Sequence, residues 1–141
     1  MEVFGQAVRE SRNPLCYNGD LFIKSHFEAF EKEYPQVECV MLGRGVMVNP
    51  GLLNLICEGT SLDKEVLRAF HDEFYRQNQE ILSGDRAVLF KMKELWFFMI
   101  HLFDGAEKVA KKIKKAEKLR VYEECIEKLF SHYPLSQKLV K

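Results

Sequence analysis

The chain has no excess of charge of either sign, since 21 Lys and Arg face 21 Asp and Glu. A neutral chain sets up no global field that would draw nucleic acid or an acidic partner, so any such attraction has to come from local clusters. Its 4 cysteines, at 16, 39, 57 and 125, form no C-x-x-C pair and have no partnered histidine spacing, which argues against a metal site or a dithiol redox motif. Three of them stand in apolar surroundings, and all four are expected to be reduced, structural thiols. There is no long hydrophobic run: the apolar stretch Leu95–Phe103 is far too short to span a bilayer. Nor does the chain open on a basic-then-apolar leader. Together these absences point to a soluble, cytoplasmic protein with no metal and no membrane partner.

What is present is an ordinary globular composition. The chain has 141 residues, 47% hydrophobic and 30% charged, enough for one domain with a real core or for two small units. Charge is unevenly placed along it. Residues 1–60 carry 5 Lys and Arg against 8 Asp and Glu, a net of −3, and residues 61–141 carry 16 against 13, a net of +3. Within the second part, residues 86–120 hold 10 basic and 4 acidic side chains, a local +6.

The run Val40-Met41-Leu42-Gly43-Arg44-Gly45-Val46-Met47-Val48-Asn49-Pro50 organises the first part. Its uniformly apolar start reads as a strand buried on both faces, the kind found in parallel sheets covered by helices. Gly43-Arg44-Gly45 then reads as a tight turn that presents backbone N–H groups and a guanidinium fork, a candidate phosphate site. A structural ion pair of Arg44 is the competing reading. Upstream, residues 1–10 have the apolar spacing of an amphipathic helix without a capping residue before it, like a helix entered midway. Asn13-Pro14 breaks it. Leu15-Cys16-Tyr17 is a short apolar run ending in Asn18-Gly19-Asp20, and Phe22, Phe27, Phe30 and Tyr34 approximate one helix face that Pro35 terminates. Val37 to Leu42 is the next strand. Helix, strand, helix, strand makes a β-α-β unit with parallel strands, and both glycine turns then lie on one sheet edge. Two such strands leave open edges, so residues 1–60 look like the end of a larger α/β barrel.

From residue 61 the pattern is helix only. Asp63 to Leu82 places Val66, Leu67, Phe70, Phe74 and Ile81 on one side. Ser83-Gly84-Asp85 interrupts and caps, and Arg86 to Phe103 reads as a central buried helix with Trp96, Phe97 and Phe98 in the core. Ala106 to Ala116 carries a narrow stripe of Val109, Ala110, Ile113 and Ala116 among lysines. Leu119 to Tyr133 turns Val121, Tyr122, Ile126, Leu129 and Phe130 inward before Pro134. Residues 61–141 are thus expected to form a four-helix domain.

The run Asn13-Pro14-Leu15-Cys16-Tyr17-Asn18-Gly19-Asp20, followed at this interval by Val40-Met41-Leu42-Gly43-Arg44-Gly45 and Asn49-Pro50 and then by a basic helical tail, resembles the C-terminal part of the tRNA-dihydrouridine synthases. The resemblance covers essentially the whole chain. It implies a partial TIM-type barrel, the last two parallel strands with their helices in residues 1–60, followed by an all-α tRNA-binding domain in residues 61–141. The reaction it implies is reduction of uridine to dihydrouridine in tRNA, with FMN as cofactor and NADPH as reductant. On the same resemblance, Asn18, Gly19 and Asp20 correspond to the flavin-binding turn after the seventh strand. Gly43, Arg44 and Gly45 correspond to the phosphate-holding turn after the eighth. Lys91, Lys93, Lys111, Lys112, Lys114 and Lys115 are the expected tRNA contacts, alongside the equally open reading that these lysines are a solvated helix face.

The family's catalytic cysteine and the residues beneath the flavin ring belong to the first six strands, and no cysteine here has the Asn-x-x-Cys-Pro context. His26, His71, His101 and His132 are scattered on helical segments. No catalytic residue is therefore assigned, and the chain alone is expected to be inactive unless a separate chain supplies the missing strands. The alternatives are a non-enzymatic RNA-binding module or remnant, and a fragment of another FMN-binding barrel oxidoreductase.

Overall fold

The computed structural model describes residues 2–140. The chain is mostly helical, with one small parallel sheet. Helix α1 (Glu2–Glu10) leads to strand β1 (Cys16–Tyr17), helix α2 (Lys24–Glu33) and strand β2 (Cys39–Val40). Met1, the expected start of the first helix, lies outside the described residues. The strands pair in parallel with Cys16 opposite Cys39 and Tyr17 opposite Val40, so the helical crossover of the β-α-β reading is present. Helices α3 (Gly43–Val48) and α4 (Leu52–Glu58) follow.

Several expectations for this part need correction. The strand is two residues long, not Val37 to Leu42, and it is not buried on both faces: Met41 is 54% exposed and Val40 and Leu42 are half-buried. The reason is that no third strand flanks the pair among the described residues, so apolar character there is not matched by burial. Gly43-Arg44-Gly45 is not an open turn but the first turn of α3. The core of this part is small, built on Leu21, Phe30 and Tyr34. Phe4 packs edge-on against Tyr17 and Tyr34, and Tyr17 stacks on Phe30 at 4.3 Å between ring centroids.

The cysteines also depart from expectation. Cys125 is buried, but Cys16 and Cys39 are exposed on the uncovered sheet and Cys57 is exposed on α4. The Cys39 thiol donates to the Cys16 sulfur at 3.1 Å, and that bond, with the neighbouring thiol's charge, holds the Cys16 pKa above its usual value. Adjacent strands place Cα atoms about 5 Å apart, within the range a disulfide spans. Diamide at a pH of about 9, where thiolates form, is expected to join the two sulfurs, its N=N bond taking up the two electrons and two protons to become the hydrazine. Thiol titration should then fall from 4 to 2 per chain, with the loss abolished by Cys39→Ser; an unchanged titre would contradict the geometry.

The second part is α5 (Lys64–Ile81), α6 (Asp85–Met99), a 3-10 turn (Ile100–Leu102), α7 (Glu107–Lys115), α8 (Leu119–His132) and the short α9 (Gln137–Val140). Local chemistry sets these boundaries. The Asp63 carboxylate accepts from the backbone N–H groups of Glu65 (2.7 Å) and Val66 (3.3 Å), capping α5. Gly84 and Gly105 adopt φ of 87° and 72°, left-handed turns that a side chain would strain. Helices α5 to α8 share one core that includes Leu67, Met92, Trp96, Met99, Leu102, Ile113, Tyr122, Ile126 and Leu129. Val66, Phe70, Ile81, Phe97 and Val121, all expected inside, are exposed. The helices rotate to bury the stripes that can pack together, and a sequence with apolar residues on two sides does not say which stripe that is.

A chain of polar groups runs from Trp96, Tyr122 and His71, which are buried, out to the half-buried Arg68 and the exposed Asp72. The Trp96 indole N–H donates to the Tyr122 oxygen at 2.8 Å, and the Tyr122 hydroxyl donates to His71 Nε2 at 2.6 Å. His71 Nδ1–H then donates to the Asp72 carboxylate at 2.7 Å, and Arg68 grips that carboxylate through Nε at 2.8 and 2.9 Å. This order of donors fixes the neutral Nδ1–H tautomer. Arg68 also pairs with Glu127 at 2.9 Å and lies over the Phe130 ring at 5.2 Å.

Burial pulls the His71 pKa below its usual 6.5; the Asp72 carboxylate opposes this and the Arg68 charge adds to it. As pH falls through the unfolded value of 6.5, the unfolded chain takes up a proton that the folded chain refuses. Stability is therefore full above that pH and falls below it, by at most about 1.4 kcal/mol per pH unit. Thermal melts between pH 7.5 and 5 should show the slope, and His71→Gln should flatten it; an equal slope in the variant would place the titration elsewhere.

Contacts also join the first part to the helices. The buried Asn49 donates from Nδ2 to the Leu139 carbonyl at 2.7 Å and accepts from the Gly51 N–H at 2.9 Å. Helix α3 packs against α6 and the 3-10 turn.

Candidate functional site

Parallel pairing places the carboxyl ends of β1 and β2 side by side, with the Met41 N–H donating to the Tyr17 carbonyl at 2.8 Å. The two predicted turns are thereby brought together. Arg44 Nη2 meets the Asp20 carboxylate at 2.6 Å, both side chains being more than half exposed. The ion-pair reading of Arg44 is thus realised, and its guanidinium already faces an anion supplied by the other turn. Asn18 is exposed and Gly19 half-buried. None of Gly19, Gly43 and Gly45 has positive φ, so backbone freedom is not what these positions need.

Close approach is what Gly45 needs. A Cβ there would lie 2.1 Å from the Leu21 carbonyl oxygen and 2.8 Å from Leu52 Cδ2, whereas a Cβ at Gly43 would meet nothing within 4 Å. Gly45 therefore lets α3 pack against the backbone after β1, and Gly43 faces open space. Gly45→Ala is expected to cost about 1–3 kcal/mol through overpacking. Gly43→Ala should be neutral or stabilising by up to about 1 kcal/mol, since alanine is the better helix former. Denaturant unfolding of the two variants checks this, and equal effects would contradict it.

The second candidate region is the face shared by α6 and α7. Helix α7 turns Val109 and Ile113 into the core and leaves Lys108, Lys111, Lys112, Lys114 and Lys115 exposed around the rest of its surface. Lys112, Lys114 and Lys115 occupy its last turn, where positive charge complements the helix dipole. The six lysines expected from the sequence do not act alike. Lys93, from α6, joins Lys111 and Lys114 in lining an open cavity of about 620 Å³ between the two helices. Lys91 instead pairs with Glu94 on its own helix at 2.9 Å. Lys112 and Lys115 do not line the cavity.

The floor and near wall of that cavity are apolar, formed by Trp96, Ile100 and Ile113 with Phe90 and Phe97 at the rim. Phe90 is 75% and Phe97 71% exposed, so Phe97 is a surface residue and not the core residue expected. Only the lysines and the apolar stripe around this site were legible as such. The pairing of the two helices, which makes a cavity of them, carried no sequence signal. No group of three or more His, Cys, Asp or Glu able to hold a metal ion occurs among the described residues. No described helix is long and apolar enough to cross a membrane. No protein-family model matches the chain, and no curated protein matches it significantly.

Proposed function

We propose that this chain is a cytoplasmic, tRNA-dihydrouridine-synthase-like protein whose α6–α7 face binds tRNA. In this reading residues 1–60 are the last two strand–helix units of an FMN barrel, and reduction of uridine with FMN and NADPH needs strands from a separate chain. The observation that carries the proposal is the convergence of Lys93, Lys111 and Lys114, from two helices, around one cavity. The two helices meet because they bury Trp96, Val109 and Ile113 together, and that packing holds three ammonium groups around one opening, an arrangement suited to a phosphate backbone.

The flavin part of the reading rests on the paired turns. Open space above Gly43 leaves room for a phosphate, with Arg44 and backbone N–H groups as donors, while Asp20 opposes an anion there. FMN is therefore expected to bind weakly to this chain. The test is a salt series of tRNA binding beside an FMN titration. The logarithm of affinity should fall linearly with the logarithm of salt concentration, and tight FMN binding with no tRNA binding would overturn the reading. An assay of dihydrouridine formation separates an enzyme from an RNA-binding module, and no turnover is expected from this chain alone.

A further inference from the structure

We propose that the cavity between α6 and α7 seats one unstacked nucleobase of a bound RNA, its face against the exposed rings of Phe90 and Phe97, with the flanking phosphates on Lys93, Lys111 and Lys114. The proposal rests on the RNA-binding reading above and adds to it a site for the base. Its starting observation is the misplacement of two phenylalanines. Helix α6 buries Met92, Leu95, Trp96 and Met99, yet leaves Phe90 and Phe97 in solvent.

Phe90, Lys93 and Phe97 recur at i, i+3 and i+7, so they lie on one stripe of α6 and face the same cavity. Across it stand Lys111 and Lys114 of α7, with the small Ala110 on the same wall. Alanine at that position keeps the groove open where a larger side chain would fill it. Aromatic rings interleaved with lysines are the means by which proteins hold single-stranded nucleic acid, because every base has a π-face and every nucleotide a phosphate.

Size and charge favour a base over a docked protein helix. A volume of about 620 Å³ lies in the range of sites for small ligands, about 300–1,000 Å³. A helix laid in a groove needs a longer row of apolar pockets at i, i+4 and i+7. The charge around the cavity is basic, since its acidic member, Glu94, is already paired with Lys91.

The test uses the full chain with a single-stranded oligoribonucleotide carrying 2-aminopurine and a duplex RNA of equal length. The double variant Phe90→Leu/Phe97→Leu keeps apolar volume at exposed positions and removes both π-faces. It should weaken single-strand binding roughly ten- to a hundredfold and abolish 2-aminopurine quenching, with duplex binding unchanged. Phe90→Tyr/Phe97→Tyr, which retains the rings, should restore both. Melting curves establish that each variant is folded. If the wild type binds both RNAs and the double leucine variant binds them equally well, or loses both equally, the base site is overturned while lysine-dependent RNA binding stands. If the wild type binds no RNA at any salt concentration, both readings fall. Binding of an acidic amphipathic peptide that depends on Phe97, without RNA binding, would make the cavity a protein-docking groove and likewise overturn the proposal.

Discussion

Replacing Lys111, Lys112, Lys114 and Lys115 together with Ala is expected to weaken tRNA binding on the order of 100-fold near physiological salt and to reduce the slope of log affinity against log salt by about three to four. Each lysine that neutralises a phosphate releases a condensed counterion, so the slope counts contacts while the affinity sums them. All four side chains are exposed on α7, outside the buried stripe of Val109 and Ile113, and their removal leaves no buried group unpaired. Alanine is also a strong helix former, which offsets the dipole interaction lost from the last turn. A charge-matched variant at Arg9, Arg12, Lys24 and Lys32 is the control. Fluorescence anisotropy across a salt series measures both quantities, and equal losses in the two variants would mean that net charge, not this face, governs binding.

Tyr122→Phe is expected to destabilise the helical core by about 2–4 kcal/mol, for the loss of a single oxygen atom. Tyr122 is fully buried, and its hydroxyl stands between the Trp96 N–H and His71 Nε2. Without it both of those groups stay buried with no partner, and each unsatisfied group costs about 1–3 kcal/mol. Burial also raises the Tyr122 pKa well above its usual value, so the hydroxyl remains a donor at any ordinary pH. In the double variant Trp96→Phe/Tyr122→Phe the stranded indole N–H is gone, and the cost relative to Trp96→Phe alone should shrink. That non-additivity is the signature of a shared network. Thermal unfolding should show a drop of roughly 10 °C for Tyr122→Phe, and a change under about 0.5 kcal/mol, typical of a surface substitution, would show that water replaces the hydroxyl.

The sequence alone determined what local chemistry controls. Asp63 caps α5 because its carboxylate satisfies nearby backbone donors. Gly84, at the N-cap of α6, and Gly105, in the turn before α7, hold the positive φ that suits glycine, and the two short apolar runs separated by a helix pair in parallel. These features depend on neighbours within a few residues or on a chain reversal of known hand, and both leave a spacing that can be read.

Tertiary structure decided the rest. The continuous run Leu95-Trp96-Phe97-Phe98-Met99-Ile100 has no polar side to mark which residues face out, so only packing against α7 and α8 buries Trp96 and exposes Phe97. Arg44 finds Asp20 across 24 residues and Asn49 finds Leu139 across 90; His71 gives up solvent for Tyr122. Each of these partners is chosen by the position of a second element in space, and periodicity within one element carries no information about where its neighbour will lie.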